Sequence, residues 1–337
     1  MEGIHLTAVI EVDQLTKAYR VKKKKQGFLG SLTSLVRAEE YEKVALESIS
    51  FQVKPKERVA FIGPNGAGKS TTIKILSGIL HPSNGQGHVL GYCPWKDRHK
   101  LAYHIGTVFG QKSQLWYHLP AIDTFELMSR IYEIDRADFR TRRDQLIERF
   151  ELQPYLQTPV RKLSLGERMR CEIAAAMLHR PKVLFLDEPT IGLDVNAKQM
   201  IRELILELNE QEGTIVFLTS HDMGDIEQLC DRAMIINHGS IVLDEKVSNL
   251  KRYLQHKTIR LTLQDKGSSA DLFDLPGVAV LAKGTQTDLR INTQVISIED
   301  VLGYIVQRHR ISDITIQDPP LEEVIAQVYA GKEARQP

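Results

Sequence analysis

A glycine-rich segment that ends in a lysine and a serine could bind phosphate groups. Residues 63–70 are Gly-Pro-Asn-Gly-Ala-Gly-Lys-Ser and fit the pattern G-x-x-x-x-G-K-[ST], between an apolar run at 59–62 and a helical pattern from Thr71. Glycines let backbone N–H groups converge on phosphate oxygens, and the start of the helix adds its positive dipole end. Lys69 supplies a cation for the outer phosphates, and Ser70 supplies a hydroxyl for Mg²⁺. The segment therefore predicts a nucleotide site formed by Gly63, Pro64, Asn65, Gly66, Ala67, Gly68, Lys69, Ser70 and Thr71.

Two carboxylates and a histidine follow other apolar runs and suit phosphate hydrolysis. Asp187 and Glu188 end the run at 183–186, and His221 follows the run at 214–219. Asp187 is predicted to hold Mg²⁺ directly or through water, and Glu188 to polarise an attacking water. A lone histidine in a loop is often only a surface residue. Its position at a strand end, where open α/β sheets bind ligands, favours a hydrogen bond from His221 to the γ-phosphate.

Short apolar runs alternate with longer helical patterns through most of the first 250 residues. Buried strands are predicted at residues 59–62, 105–109, 183–186, 214–218 and 233–236. This alternation predicts an α/β fold with a mainly parallel sheet covered by helices. Residues 124–134 and 136–150 instead form consecutive amphipathic helical patterns, which predict an inserted helical subdomain at about residues 115–165.

The sequence changes character after about Lys251. Strands are predicted at 258–263, 278–281, 289–292 and 311–316, and helices at 298–308 and 321–330. This order predicts a small α+β C-terminal domain at residues 251–337, after a first domain at residues 1–250. The C-terminal domain either stabilises a dimer, carries regulation, or extends the core passively.

Composition limits the partners. Lys+Arg 44 against Asp+Glu 43 gives a formal net charge of +1, so no nucleic-acid partner is expected. Residues 1–12 do not resemble a secretory signal, and Cys93, Cys171 and Cys230 have no paired spacing, so a reducing cytosol is expected. No apolar run approaches the roughly 20 residues that span a bilayer. Any membrane part is therefore expected from another chain.

A second motif identifies a family. Residues 163–167, Leu-Ser-Leu-Gly-Glu, resemble the Leu-Ser-Gly-Gly-Gln signature of ABC transporter ATPases, and the other motifs occur in that family's order between about residues 8 and 247. The resemblance implies a phosphate-loop NTPase core that uses ATP and Mg²⁺. It also implies that Tyr19 stacks on adenine and that Gln111 contributes to the Mg²⁺ site, senses the γ-phosphate and contacts the membrane subunit. Residues 192–194, which end in Asp194, match the segment through which the two subunits communicate.

The signature also predicts how two chains assemble. Ser164 and the amides of Gly166 and Glu167 at a helix start form another anion site. With no phosphate loop beside it in the sequence, this site is explained by a head-to-tail homodimer in which each signature covers the partner's ATP. Leu165 replaces a family glycine and Glu167 replaces the glutamine. These departures are expected to change the affinity without abolishing the site.

The C-terminal end suggests a branch of the family. Residues 318–324, Asp-Pro-Pro-Leu-Glu-Glu-Val, resemble the ending of type-2 export ATPases, whose membrane permease subunits are separate chains. This resemblance implies ATP-driven export from the cytoplasmic face of the cell membrane. The alternative is an ATP-dependent switch that acts on nucleic acid or ribosomes, which the single motif set and near-neutral charge disfavour. An insertion at about residues 20–43 combines Lys22–Lys25 with an apolar stripe, and it either meets the membrane region or forms a solvated hairpin.

Overall fold

The structure, a computed structural model, describes residues 8–22, 40–110, 112–250, 256–263, 275–282 and 286–317, with Glu323, Ile325 and Tyr329. The chain divides into two compact units, Met1–Asp244 and Glu245–Pro337. Across these described ranges no helix has the length and apolarity needed to cross a membrane. Several predicted features lie outside the described residues. They are Gln111, residues 23–39 of the predicted insertion, residues 318–322 of the export-type ending and most of the predicted helix at 321–330.

A six-stranded sheet forms the centre of the first unit, in the order β5-β6-β7-β3-β8-β9. Its strands are β3 (Arg58–Ile62), β5 (Ile105–Phe109), β6 (Val183–Asp187), β7 (Ile215–Thr219), β8 (Arg232–Asn237) and β9 (Ser240–Lys246). Strands β5, β6, β7, β3 and β8 pair in parallel, as the sequence predicts. Because parallel strands end at the same edge of a sheet, the loops after β3, β6 and β7 meet there.

An antiparallel sheet, which the sequence analysis did not predict, packs on the central sheet. It has the order β2-β1-β4, with β1 (Ile10–Lys22), β2 (Glu40–Val53) and β4 (Asn84–Val89). Lys22 pairs with Glu40, so the described ends of the predicted insertion extend a β-hairpin. The ring of Phe51 on β2 lies 5.9 Å from that of Phe61 and 6.0 Å from that of Phe217. This aromatic cluster joins the two sheets in one core.

Helices surround these sheets. They are α1 (Lys69–Leu76), α2 (Arg98–Ala102), α3 (Ala121–Ile131), α4 (Arg136–Arg149), α5 (Leu165–Met177), α6 (Val195–Glu212) and α7 (Met223–Leu229). The predicted helix at 124–134 is displaced toward the N-terminus, because Glu133 adopts a φ of 52°, which ends a right-handed helix. Arg142 on α4 pairs with Glu212 at 2.7 Å and donates to the Met177 carbonyl at 3.2 Å. This ion pair, in which Arg142 is buried and Glu212 is partly exposed, joins α4 to the ends of α5 and α6.

The second unit contains an antiparallel sheet in the order β11-β12-β10-β13. Its elements are α8 (Val247–Leu250), β10 (His256–Leu263), β11 (Val278–Ala282), β12 (Gln286–Asn292), α9 (Ile298–Arg308) and β13 (Ile311–Gln317). Ile259 and Leu289 of the sheet and Val301 and Ile305 of α9 belong to one fully buried cluster. The α+β organisation expected for this region is therefore present.

Candidate nucleotide site

The phosphate loop is tightly packed between β3 and α1. Gly68 precedes α1 with a φ of +116°, a conformation that favours glycine. A Cβ added to Gly68 would lie 2.6 Å from the carbonyl oxygen of Ala45, and one added to Gly63 would lie 2.4 Å from that of Ile236. Both glycines are therefore required by close backbone approaches, which hold the loop in one conformation.

Lys69 is the buried cation of this loop. Its side chain is only 6% exposed, and its Nζ donates to the Gly63 carbonyl at 2.7 Å and to the Pro64 carbonyl at 3.3 Å. Burial lowers the pKa of Lys69, while the nearby Glu188 and Asp187 carboxylates oppose that shift. The ammonium group is thus held at the loop, where its bonds to two carbonyls can be exchanged for bonds to phosphate oxygens.

Hydroxyl and carboxylate oxygens meet beside Lys69. Ser70 Oγ donates to Asp187 Oδ1 at 3.0 Å, and Thr219 Oγ1 donates to the same oxygen at 2.6 Å. A serine hydroxyl with one carboxylate is the donor set that suits Mg²⁺, which is usually held by one or two protein groups, by water and by substrate phosphates. The pair formed by Ser70 and Asp187 therefore fits this ion.

Glu188 has an unusual backbone conformation. Its φ is 54°, in the left-handed region that side chains rarely adopt. Its N–H donates to Thr219 at both Oγ1 (3.1 Å) and the carbonyl oxygen (3.0 Å), which holds this conformation. The Glu188 carboxylate is 15% exposed and lies 3.8 Å from Lys69 Nζ and 3.4 Å from Nδ1 of the 60% exposed His221. A carboxylate that can accept a proton thus faces a cation and an imidazole.

A buried network holds the loops that carry Glu188 and His221. Asp225 is fully buried and accepts hydrogen bonds from Thr190 Oγ1, from Ser220 Oγ at 2.9 Å and from Arg202 Nε at 2.8 Å. Thr190 belongs to the β6–α6 loop and Ser220 to the β7–α7 loop. The sequence analysis missed this network, because an aspartate at this position in a short helix gives no local indication of burial.

A cavity of about 440 Å³ surrounds the phosphate loop. Besides predicted loop residues, Asp187 and Glu188, its wall includes four residues that the sequence analysis missed: Lys74, Ile79, Phe109 and Lys112. Lys74 lies one helical turn after Ser70, so helical spacing alone could have revealed it. The two lysines add positive charge where ATP phosphates are expected.

Tyr19 and Gln111 are predicted site residues that the cavity does not test. Tyr19 lies on β1, and Lys17 Nζ is 5.1 Å from its ring centroid, a cation–π contact. Tyr19 is not among the described residues that line the cavity. Its stacking on adenine stays a prediction, as do the roles expected of Gln111, which lies outside the described residues.

The signature begins helix α5 with a reciprocal cap. Ser164 Oγ accepts from the Glu167 N–H at 3.3 Å, and Glu167 Oε2 accepts from the Ser164 N–H at 2.8 Å. The carboxylate that replaces the family glutamine is thus bound to its own helix start. Ser164 itself is exposed, and its hydroxyl proton remains available to a ligand.

The second departure from the family signature is also accommodated. Leu165 is the first residue of α5 and has no positive φ, so this position does not require glycine here. A Cβ added to Gly192 would lie 3.0 Å from Leu165 Cδ2, which shows that Leu165 lies against the segment 192–194. Asp194 at the end of this segment caps α6 by accepting from the Ala197 N–H at 2.9 Å. The signature is therefore packed against the segment predicted to communicate between subunits.

The cap yields a prediction on stability. Glu167→Ala is expected to lower the free energy of unfolding by about 0.5–1 kcal/mol, because the Ser164 N–H loses its acceptor. Glu167→Gln is expected to keep nearly all of it, since an amide oxygen accepts the same bond. The measurement is the urea concentration at the unfolding midpoint for the natural chain and the two variants, provided that the unfolding free energy falls with urea at the same slope in all three. Equal losses in both variants would show that the charge, and not the hydrogen bond, stabilises the helix start.

The sequence matches known proteins over most of its length. Residues 46–191 match the family model described as ABC transporter. The daunorubicin resistance ATP-binding protein DrrA3 of Streptomyces coeruleorubidus is 30% identical over 292 residues, which cover 84% of this chain and 90% of that protein. The linearmycin resistance ATP-binding protein LnrL of Bacillus subtilis (strain 168) is 30% identical over 290 residues, covering 84% and 93%.

Solved structures match the fold. The ATP binding subunit of an ABC transporter superposes with a TM-score of 0.59 at 26% identity, over 72% of this chain and 92% of that one. The dimeric post-hydrolysis state of the ATP-binding cassette MJ0796, bound to ADP and Pi, gives a TM-score of 0.59 at 26% identity, over 71% and 98%. The predicted phosphate-loop NTPase core is therefore confirmed. This chain belongs to the ATP-binding subunits of ABC transporters and is an ATPase.

Proposed function

We propose that this chain hydrolyses Mg²⁺-bound ATP in a head-to-tail homodimer and drives export through a separate permease at the cytoplasmic face of the cell membrane. One observation gives the main support for the dimer. Ser164 caps a helix at the surface, and it is not among the described residues that line the cavity of its own phosphate loop. An exposed anion-binding helix start gains a ligand when a second chain brings its ATP there. The similar cassette bound to ADP and Pi is dimeric, which supports dimerisation.

The site residues predicted from the sequence have distinct roles in this proposal. Lys69 exchanges its bonds to the Gly63 and Pro64 carbonyls for bonds to the outer phosphates, and Ser70 and Asp187 hold Mg²⁺. When bound, Mg²⁺ neutralises charge that develops on the phosphate oxygens. Tyr19 stacks on the base, Gln111 completes the Mg²⁺ site and senses the γ-phosphate, and Asp194 approaches the partner's nucleotide.

Glu188 acts as the base in the hydrolytic step. Its carboxylate orients a water for attack on the γ-phosphorus and accepts the proton that this water loses. The His221 ring, 3.4 Å from the same carboxylate, hydrogen-bonds a γ-phosphate oxygen and keeps that group in line. The bond between the γ-phosphorus and the bridging oxygen breaks, which leaves ADP and inorganic phosphate. Loss of the γ-phosphate removes the contact with Ser164, so the two chains separate.

Export is supported by the similar proteins. Their names give resistance to daunorubicin and to linearmycin, and, for a 31% identical protein of Bacillus licheniformis, bacitracin transport. Resistance to such a compound follows if it is moved out of the cell. These proteins favour transport over a switch that acts on nucleic acid or ribosomes.

Mixing two inactive variants tests the head-to-tail dimer. Ser164→Arg should bind ATP as a monomer but not dimerise, because the bulky side chain blocks the partner's γ-phosphate. Lys69→Ala should not dimerise because it does not hold ATP. A mixture should form a heterodimer with one intact site and one site broken twice. Cross-linking with ATP should therefore recover a dimer that neither variant gives alone.

The controls separate this proposal from a site within one chain. Ser164→Ala keeps the space for the partner and should dimerise more weakly than the natural chain but better than Ser164→Arg. If Ser164→Arg abolishes ATP binding by the monomer, the signature acts on its own chain's nucleotide and the proposal is wrong. The proposal is also wrong if the mixture gives no more cross-linked dimer than each variant gives alone.

A further inference from the structure

A buried carboxylate on helix α5 contacts a loop that lines the nucleotide cavity. Glu172 is 4% exposed, although it is an acidic residue. One of its carboxylate oxygens accepts a hydrogen bond from Ser113 Oγ, and the other accepts from the Gln114 N–H at 3.2 Å. In return, Gln114 Nε2 donates to the Glu172 carbonyl at 3.1 Å. Three hydrogen bonds thus fasten two consecutive loop residues to one position of the helix.

The burial of Glu172 makes these partners necessary. Burial raises the pKa of the Glu172 carboxyl, and the hydrogen bonds from Ser113 and Gln114 oppose that rise. If the loop moved away from α5, the carboxylate would be left buried without donors, which is costly. When the loop is displaced, the helix is therefore expected to move with it, because this keeps the hydrogen bonds to Glu172.

The loop reaches one ATP site and the helix reaches the other. Phe109 at the end of β5 and Lys112 line the nucleotide cavity, and Lys112 is directly followed by Ser113. Helix α5 begins after Ser164, about two turns before Glu172. In the head-to-tail dimer, Ser164 contacts the ATP that the partner's phosphate loop holds. Glu172 therefore joins the loop at the wall of one ATP site to the helix that begins at the signature for the other.

We propose that Glu172 is a positioning residue that couples the two ATP sites of the dimer. ATP that engages the loop at one cavity shifts Ser113 and Gln114, and Glu172 transmits this shift to the helix that carries Ser164. The second ATP then finds a signature already in place, so ATP binding and hydrolysis are cooperative. This inference rests on the head-to-tail dimer of the proposed function. It adds a residue that neither binds ATP nor touches the reacting atoms.

The test removes the contact from each side. Glu172→Ala removes the helix partner, and Ser113→Ala removes a donor from the exposed loop without disturbing the helix. Both are placed in a Glu188→Gln chain, which is expected to accumulate the ATP-bound dimer. We expect each to leave ATP binding by the monomer unchanged and to raise the ATP concentration for half-maximal dimer by at least about fivefold, the low end of typical coupling between sites. In chains with natural Glu188, the Hill coefficient of hydrolysis should fall toward one.

Two controls separate coupling from a general loss of structure. Glu172→Gln keeps an amide oxygen that accepts from the loop, so it should restore most of the ATP dependence and the cooperativity. Glu148→Ala removes an exposed acid from α4 and should change neither quantity.

The outcomes distinguish the two proposals. If the Glu188→Gln chain alone does not dimerise with ATP, the head-to-tail dimer is wrong and the coupling falls with it. Suppose that chain dimerises, but adding Glu172→Ala or Ser113→Ala leaves the ATP concentration for half-maximal dimer unchanged, and the Hill coefficient of hydrolysis stays that of the natural chain. The dimer then stands and the role of Glu172 is overturned. A rise in ATP requirement that Glu172→Gln does not rescue also contradicts positioning by these hydrogen bonds.

Discussion

Glu188→Gln is expected to bind ATP as the natural chain does but to hydrolyse it at least about a hundredfold more slowly. The carboxylate accepts the proton that the attacking water loses, and an amide at the same place does not. Glutamine has nearly the same size, and the N–H bonds to Thr219 that hold the left-handed backbone remain. The variant should therefore keep the shape of the site while losing its base. Phosphate release in a single turnover measures the effect.

The fate of the bound nucleotide gives this prediction a second readout. Because the γ-phosphate persists, the variant should accumulate with ATP as a dimer, visible as a larger species in size-exclusion chromatography. Glu210→Gln, which neutralises an exposed glutamate on α6, serves as the matched control and should keep natural turnover. Natural turnover in Glu188→Gln itself would remove Glu188 from the catalytic role.

The parts of the site that lie on the central sheet were predictable because their strands are buried on both faces. Such strands occur in the sequence as continuous apolar runs, and polar residues that follow them must lie at one edge of the sheet. Asp187 and Glu188 end one such run, and Lys69 and Ser70 come after the loop that follows another. The structure places Ser70 Oγ 3.0 Å from Asp187 Oδ1 and Lys69 Nζ 3.8 Å from Glu188 Oε1. Family resemblance was not needed for that part of the site.

The antiparallel sheet was not predictable in the same way. Its strand β1 carries register shifts between Val12 and Ala18, and Gln14 within it has a φ of 46°. Such bulges break the alternation of apolar and polar residues on which a strand prediction depends. The conformation of strand β1 is therefore determined by tertiary contacts rather than by its local sequence pattern.

The buried acids were missed for a related reason. Glu172 and Ser113 are 59 positions apart, and Asp225 and Arg202 are 23 apart, so no local spacing links the partners. In the sequence, each acid is one charged residue in a helix that also has exposed positions. Only the packing of distant elements shows that each acid is buried and paired.

The signature shows a case in which the same residues permitted two interpretations. Ser164 and Glu167 have the spacing of a capping box as well as that of the family motif. From the sequence, glutamate in place of the family glutamine is expected to change the affinity of the site, and in the structure that carboxylate accepts from the Ser164 N–H. The expected change in ATP affinity stays a prediction, and the cap gives a physical reason for glutamate at this position.

Lys69→Ala is expected to abolish the stabilisation that ATP gives to the natural chain. At an ATP concentration of about a hundred times the dissociation constant, that stabilisation should be roughly 2.7 kcal/mol. Lys69 is the loop cation that is already held at the Gly63 and Pro64 carbonyls, so its loss leaves the phosphates without their nearest side-chain charge. The measurement is the ATP-induced shift in the melting temperature.

The shift, and not the melting temperature itself, is the correct quantity for this variant. Without ATP, Lys69→Ala also leaves two loop carbonyls without a donor and removes the positive charge beside Glu188, so the free protein changes in stability as well. Lys182→Ala, at an exposed lysine before β6, is the matched control and should keep the full shift. Lys74→Ala removes a second cation from the cavity wall and should lose only part of it, because Lys74 is not held at the loop carbonyls. An ATP-induced shift in Lys69→Ala as large as that of the Lys182→Ala control would contradict the assignment of Lys69 to the phosphates.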